Sequence, residues 1–182
     1  METWVNKERK FAGQIFAVDV GEARLDDGTL APREMVAHHG GVAAVPVLGD
    51  EVVLIRQYRV VVEQEILEIP AGRLEGNEPP EARAQAELME EVGYQAKKMV
   101  LAHSYFSSAG FTDERMHIFL AFDLTATARN LEFDERIEVV RVPIAAIAGM
   151  LAAGEIEDAK TIIGLRALLA YWVSSPQKTG NG

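Results

Sequence analysis

The sequence predicts an α/β domain with a mixed sheet held between helices, and three stretches carry that expectation. Val42–Leu48 and Glu51–Tyr58 are apolar runs of strand length joined by Gly49-Asp50, a hairpin turn signal. Glu68 to Tyr94 reads as strand, loop, acidic helix and stop. Val100–Phe106 and Arg115–Leu124 then return to strand patterning, and a C-terminal amphipathic segment follows. A strand–helix–strand order of this kind requires a layered architecture in which helices cover a sheet.

Composition sets the outer bounds. A chain of 182 residues with 48% hydrophobic and 25% charged residues fits one globular domain of ordinary size. Cysteine is absent, which excludes disulfides and thiolate metal sites and fits a reducing compartment. The start METWVNKERKF lacks the apolar core of a signal peptide, and no apolar run reaches membrane-spanning length. The expected location is therefore cytoplasmic, with no membrane partner. A net charge of −10 argues against a nucleic-acid partner. It also repels phosphates at long range, so an anionic substrate needs divalent cations and a local group of arginines.

Taken in order, Phe11–Val20 alternates loosely and predicts a strand. Asp26-Asp27-Gly28 marks a turn, and Arg33–His38 the return strand. The hairpin Val42–Tyr58 comes next. It ends in Arg56-Gln57-Tyr58-Arg59, where two arginines suit either a diphosphate or a solvated strand end. Asn77 is placed as an N-cap, Pro79 and Pro80 fit a first helical turn, and Gly93 sits where a left-handed C-cap belongs. On that helix Glu87, Glu90 and Glu91 stand at i, i+3 and i+4, so three carboxylates share one side. Such a cluster is either a solvated acidic face or a holder of hard cations such as Mg²⁺ or Mn²⁺.

The residues around the cluster carry a resemblance that bears on that choice. Gly72, five residues, Glu78, seven residues, Ala86-Glu87-Leu88, one residue, Glu90-Glu91, one residue, Gly93-Tyr94 resembles the Nudix box of the Nudix hydrolases. Two positions depart from the pattern. Tyr94 stands where an aliphatic is usual, and Ala86 where the family has an arginine that orients a box glutamate. Arg83 lies one turn earlier on the same side and is placed to substitute.

The resemblance extends from about Val36 to Tyr171 and points to the branch of ADP-ribose pyrophosphatases and nucleoside diphosphate sugar hydrolases. It implies a Nudix fold, an α/β/α sandwich with an N-terminal β extension. It implies Mg²⁺ as cofactor, with Mn²⁺ as alternative, held by Glu87, Glu90, Glu91 and the Ala71 carbonyl. Glu90, Glu91 and Glu135 are the implied catalytic residues. Glu135 stands for the family's loop glutamate, with Glu132 as runner-up. Arg56, Arg59, Glu68, Glu114 and Phe16 are the implied substrate contacts. Glu114 ends the loop Ser107–Glu114, in which Ala109 replaces the usual proline. Phe11 or Phe16 would stack a base, or serve as a core aromatic.

The last elements are an Ala-rich helix Pro143–Ala153 ended by Gly154, and an amphipathic helix to Trp172. Between them Gly154-Glu155-Ile156-Glu157-Asp158-Ala159-Lys160-Thr161 reads by itself as helix capping and core, and it resembles the branch's C-terminal region. The expected organisation is 1–41 as a β segment packed on a partner subunit, 42–175 as the Nudix domain, and 176–182 as a disordered tail. The expected activity is Mg²⁺-dependent cleavage of ADP-ribose to AMP and ribose 5-phosphate by a homodimer. The alternatives are a broader hydrolase of GDP- or UDP-sugars, or a catalytically weak nucleotide-binding regulator.

Overall fold

The computed structural model describes residues 1–76, 78–131, 133 and 135–174. Asn77, Glu132 and the segment 176–182 lie outside the described residues, and with them the expected N-cap, the runner-up base and the expected tail.

Strands β1 (Thr3–Ala12), β2 (Phe16–Arg24) and β3 (Leu30–His38) form a three-stranded antiparallel sheet in sequence order. The expected single strand Phe11–Val20 is corrected here. Gly13 donates its N–H to the Phe16 carbonyl at 3.0 Å and closes a turn, so the run divides between β1 and β2. β1 gave no strand signal because every residue of TWVNKERKFA is exposed. With no face buried, there is no alternation to read.

The second sheet has seven strands. They are β4 (Gly41–Leu48), β5 (Glu51–Arg59), β6 (Gln64–Glu68), β7 (Ala71–Arg73), β8 (Tyr94–Phe106), β9 (Arg115–Ala126) and β10 (Ile137–Pro143). The path runs β10-β5-β4-β9-β8, with β6 on β5 and β7 on β4. β4 and β9 are parallel and the other pairs antiparallel, so the sheet is mixed as expected. The hairpin between β4 and β5 turns at Gly49 with φ +64°. A positive φ at the first central position is what a II′ turn uses.

Helix α1 (Pro80–Glu87) continues into one wider π turn, Leu88–Val92, and Gly93 closes it at φ +73°. A Cβ at Gly93 would also sit 2.8 Å from Arg129 Cγ. α2 spans Ile144–Ala153 and α3 spans Ala159–Ser174. The helices cover both faces of β4, and the period-two pleat explains how. Val42 and Ala44 pack in the clusters of Ala84, Leu88 and Val92, while Ala43, Val45 and Val47 pack with Ile147, Leu165 and Leu168. Burial on both faces is why β4 reads as a continuous apolar run. Each fully buried Leu or Ile in these layers contributes roughly 1.5–3 kcal/mol. Together they fix α1 and the strands beside it, and so fix the carboxylates at its end.

Among the described residues no helix is long and apolar enough to cross a membrane.

Candidate active site

The end of α1 and its π turn are tied to β7 and to the segment after β9. Glu91 is 3% exposed, and its Oε2 accepts the Ala71 N–H at 2.9 Å. Arg129 donates Nε–H to the Glu91 carbonyl at 2.7 Å, and Asn130 donates its N–H to the Glu90 carbonyl at 3.2 Å. These bonds satisfy carbonyls that the end of a helix leaves open. Glu87 is 4% exposed and lies against Gly72, where a Cβ would fall 1.5 Å from its Oε1. Only glycine leaves room for that carboxylate.

Arg83 forms an ion pair with Glu87 and lies 3.7 Å from Glu90. The side chain one turn before Ala86 thus engages the box glutamates directly, as its position on the helix led one to expect. Glu90 is the more open of the three carboxylates.

A cavity of about 410 Å³ opens over this point. Among the residues lining it are Arg59, Ala71, Glu87, Glu90, Glu114 and Glu135. The structure therefore gathers six of the expected site residues at one place, with Glu91 buried beside them. Glu135 raises the pKa of both Glu87 and Glu91 through its charge, which places it near both. Glu114 lies 3.5 Å from His38 Nδ1, and the adjoining Asp113 accepts the His38 N–H at 2.8 Å. The loop Ser107–Glu114 is thereby fastened to β3.

Three expected substrate contacts fall elsewhere. Arg56 and Arg59 are three positions apart on β5, so pleating sends them to opposite faces. Arg59 lines the cavity, whereas Arg56 bonds Glu138 on β10 at 3.0 Å. Glu68 is 2% exposed and lies behind the wall, where Arg59 and Lys160 both bond it. Phe16 sits 5.7 Å from Phe11, in a neighbouring depression that shares Ile15 and His38 with the main cavity. Lys160 and Arg129 were missed from sequence. The first was hidden in what reads as a capping sequence, and the second carries no motif.

Burial drives the electrostatics. Desolvation pushes Glu87 up to about 7 against the pull of Arg83, with Glu90 adding repulsion. Desolvation and the charge of Glu87 push Glu91 up to about 8 despite the bond from Ala71. Two buried carboxylates that resist ionisation together are short of positive charge. Their oxygens suit hard cations, and Mg²⁺ is characteristically held by one or two carboxylates together with substrate phosphates. Glu87, Glu91 and the Ala71 carbonyl could hold a divalent ion, with Glu90 at the rim, although among the described residues no three acidic, histidine or cysteine side chains already form a metal-binding group.

A pH dependence follows. Both carboxyls have folded-state pKa values above the ordinary 4.5, so the metal-free fold is favoured by their retained protons. That contribution is full below about 4.5 and is lost as pH rises through 7 to 8. Metal binding requires the ionised forms. The rise in unfolding midpoint on adding Mg²⁺ should therefore be small near pH ~6 and large near pH ~9. Thermal melts with and without Mg²⁺ across that range test this, and an increment that does not change with pH contradicts it.

Comparison with known proteins identifies the family. The NUDIX domain model matches residues 37–164. The chain is 37% identical to the ADP-ribose pyrophosphatase of Bacillus subtilis (strain 168) over 170 residues, covering 92% of each. It is 33% identical to the methanol dehydrogenase activator of Bacillus methanolicus, again covering 92% of each. A crystal structure of an ADP compounds hydrolase superposes with a TM-score of 0.85 at 23% identity, covering 94% of both chains, and shares the fold. The chain belongs to the NUDIX family.

Proposed function

We propose that this protein is a metal-dependent pyrophosphohydrolase that cleaves ADP-ribose to AMP and ribose 5-phosphate. The observation that carries the reading is the buried pair Glu87 and Glu91, set beside Ala71 at a cavity that also holds Arg59 and Glu135. The similarity to a relative named ADP-ribose pyrophosphatase supports the choice of substrate. Mg²⁺ is the proposed ion, with Mn²⁺ able to replace it, since both accept all-oxygen sites.

Divalent ions at this place supply neutralisation of the diphosphate oxygens and acidification of an attacking water. The chain's own residues do the rest. Arg59 offers its Nη donors to a non-bridging phosphate oxygen, while among the described residues its Nε is engaged by Glu68. Glu135 takes the proton of the water. The water oxygen joins one phosphorus, the bridging P–O bond breaks, and the leaving phosphate departs with the bridging oxygen. Glu114 contacts the sugar side from its fastened loop. Engagement of Glu87 by Arg83 argues against the reading as a weak, purely regulatory binder.

We further propose a homodimer in the cytoplasm, with residues 1–41 packed on the partner. The three-stranded sheet leaves Trp4, Val5, Phe11 and Phe16 exposed, which is the kind of apolar surface that association covers. Light scattering that finds only a 20.0 kDa monomer contradicts this.

A substrate panel tests the activity. ADP-ribose, ADP-glucose, GDP-mannose, UDP-glucose and NADH are incubated with Mg²⁺, and monophosphate products are counted. Preference for ADP-ribose, abolished by chelator, is expected. Even cleavage across the panel would keep the mechanism and replace the substrate by nucleoside diphosphate sugars in general. No turnover of any member contradicts the proposal.

A further inference from the structure

We infer that Arg129 is a positioning residue for the hydrolysis, a brace that holds the segment carrying Glu135 against the turn carrying Glu91. The inference deepens the proposed function and rests on its assignment of Glu135 as the base.

The segment 127–136 leaves β9 and enters β10, and two strands, β4 and β5, lie between those two in the sheet. It has to cross the end of the sheet, and it does so along the turn that closes the box. Its near side is pinned there by backbone. Thr127 donates its N–H to the Gly93 carbonyl at 2.8 Å, and Asn130 to the Glu90 carbonyl at 3.2 Å. Glu135 stands five residues past Asn130, near the far end. The bonds that Arg136 donates to the Phe133 and Glu135 carbonyls, at 3.0 and 2.8 Å, fold the segment on itself and fasten it to no other element.

Arg129 joins the two ends. Its Nε donates to the Glu91 carbonyl at 2.7 Å and its Nη2 to the Ile137 carbonyl at 3.2 Å. Ile137 opens β10 and follows Glu135 by two positions, so it sets where Glu135 emerges. A guanidinium is planar and holds its donors in a fixed fork. One side chain therefore sets the distance between the backbone of the buried carboxylate Glu91 and the strand start next to Glu135. The stem is seated as well, with Cγ lying over Gly93.

Two further facts separate this role from others. Arg129 lies outside the lining of the cavity, so any effect it has on turnover passes through the groups that it holds. It is also exposed, so shortening it leaves no hole in the core. A cation at the C-terminal end of a helix stabilises that end by its charge alone. Such capping needs only the bond to Glu91. The second bond, to Ile137, is what makes the residue a brace.

The test measures kcat and KM for ADP-ribose with Mg²⁺ in wild type, Arg129→Lys and Arg129→Met, each with Glu135 present and with Glu135→Gln. Lysine keeps the charge at the helix end but has no fork to span two carbonyls, and methionine keeps only the stem. Both are expected to lower kcat about tenfold with KM within about threefold. In the Glu135→Gln background the same changes should cost less than about threefold, because the group they misplace is already gone. A residue that only caps the helix would be rescued by lysine, and its loss would multiply with that of Glu135. Backbone hydrogen exchange, read by peptide mass, gives a view that needs no turnover. Peptides covering 130–137 should lose protection in both variants while those covering 80–88 keep it. Should Arg129→Met fail to fold, Arg129→Lys carries both readouts. Turnover by wild type with kcat of the variants unchanged, or with equal losses in both backgrounds, overturns this inference and leaves the proposed activity standing. A wild type that hydrolyses no nucleoside diphosphate sugar overturns the activity. In that case protection of 130–137 that depends on Arg129 keeps the brace, and protection that does not depend on it overturns the brace too.

Discussion

Gly72→Ala is expected to lower turnover by at least about a hundredfold while leaving the fold intact. The added Cβ would lie 1.5 Å from Glu87 Oε1, 2.2 Å from its Cδ and 2.9 Å from its Cγ. No real contact is that short, so the carboxylate must leave its place. The obstacle is the flexible end of a side chain, which can rotate away at modest cost to stability. What it leaves is the ion pair with Arg83 and its position beside Ala71. Displacement of a reacting geometry by about 1 Å can cost a hundredfold in rate, or ~2.7 kcal/mol of barrier. Turnover numbers and melts of the purified variant check this. Activity within about tenfold of wild type would show that the position of Glu87 does not matter to the chemistry.

Glu91→Gln should separate activity from stability. The amide is nearly the same size as the carboxyl, and its oxygen can still accept the Ala71 N–H. What disappears is the charge. Turnover is expected to fall by a hundredfold or more, since a tenfold loss, about 1.4 kcal/mol, is too little for removal of a metal ligand. The metal-free variant, by contrast, should be at least as stable as wild type. Below about pH 4.5 both side chains are neutral and the two proteins should melt alike. Above about 8 the wild-type group is ionised in a desolvated place, and the variant should melt higher. The melting increment from Mg²⁺ should shrink or vanish in the variant. Loss of stability together with activity would instead assign Glu91 to the scaffold.

Much of this was legible in the sequence because it rests on local spacing. The box glutamates, the Gly93 cap and the Gly49-Asp50 turn depend on residues a few positions apart, whose geometry the backbone dictates. Arg59 against Arg56 was partly legible, since alternation along β5 separates their faces, but sequence does not say which face holds the cavity. The rest was hidden for physical reasons. β1 buries no face and so has no period. Glu68 was expected as a substrate contact, and its burial was hidden because the cations that bond it include Lys160, 92 residues away. Lys160 itself was masked by the capping role of its neighbours Asp158 and Thr161. The π turn at Leu88–Val92 changes the helix just where the carboxylates lie, and no residue type announces it.

The most direct test of the central claim is anomalous diffraction from a crystal grown with Mn²⁺ and collected near pH ~8, where the carboxyls can ionise. The account predicts a Mn²⁺ peak within coordination distance of the Glu87 and Glu91 carboxylates and the Ala71 carbonyl. A protein that hydrolyses ADP-ribose with Mn²⁺ yet shows its only peak away from both carboxylates would contradict it.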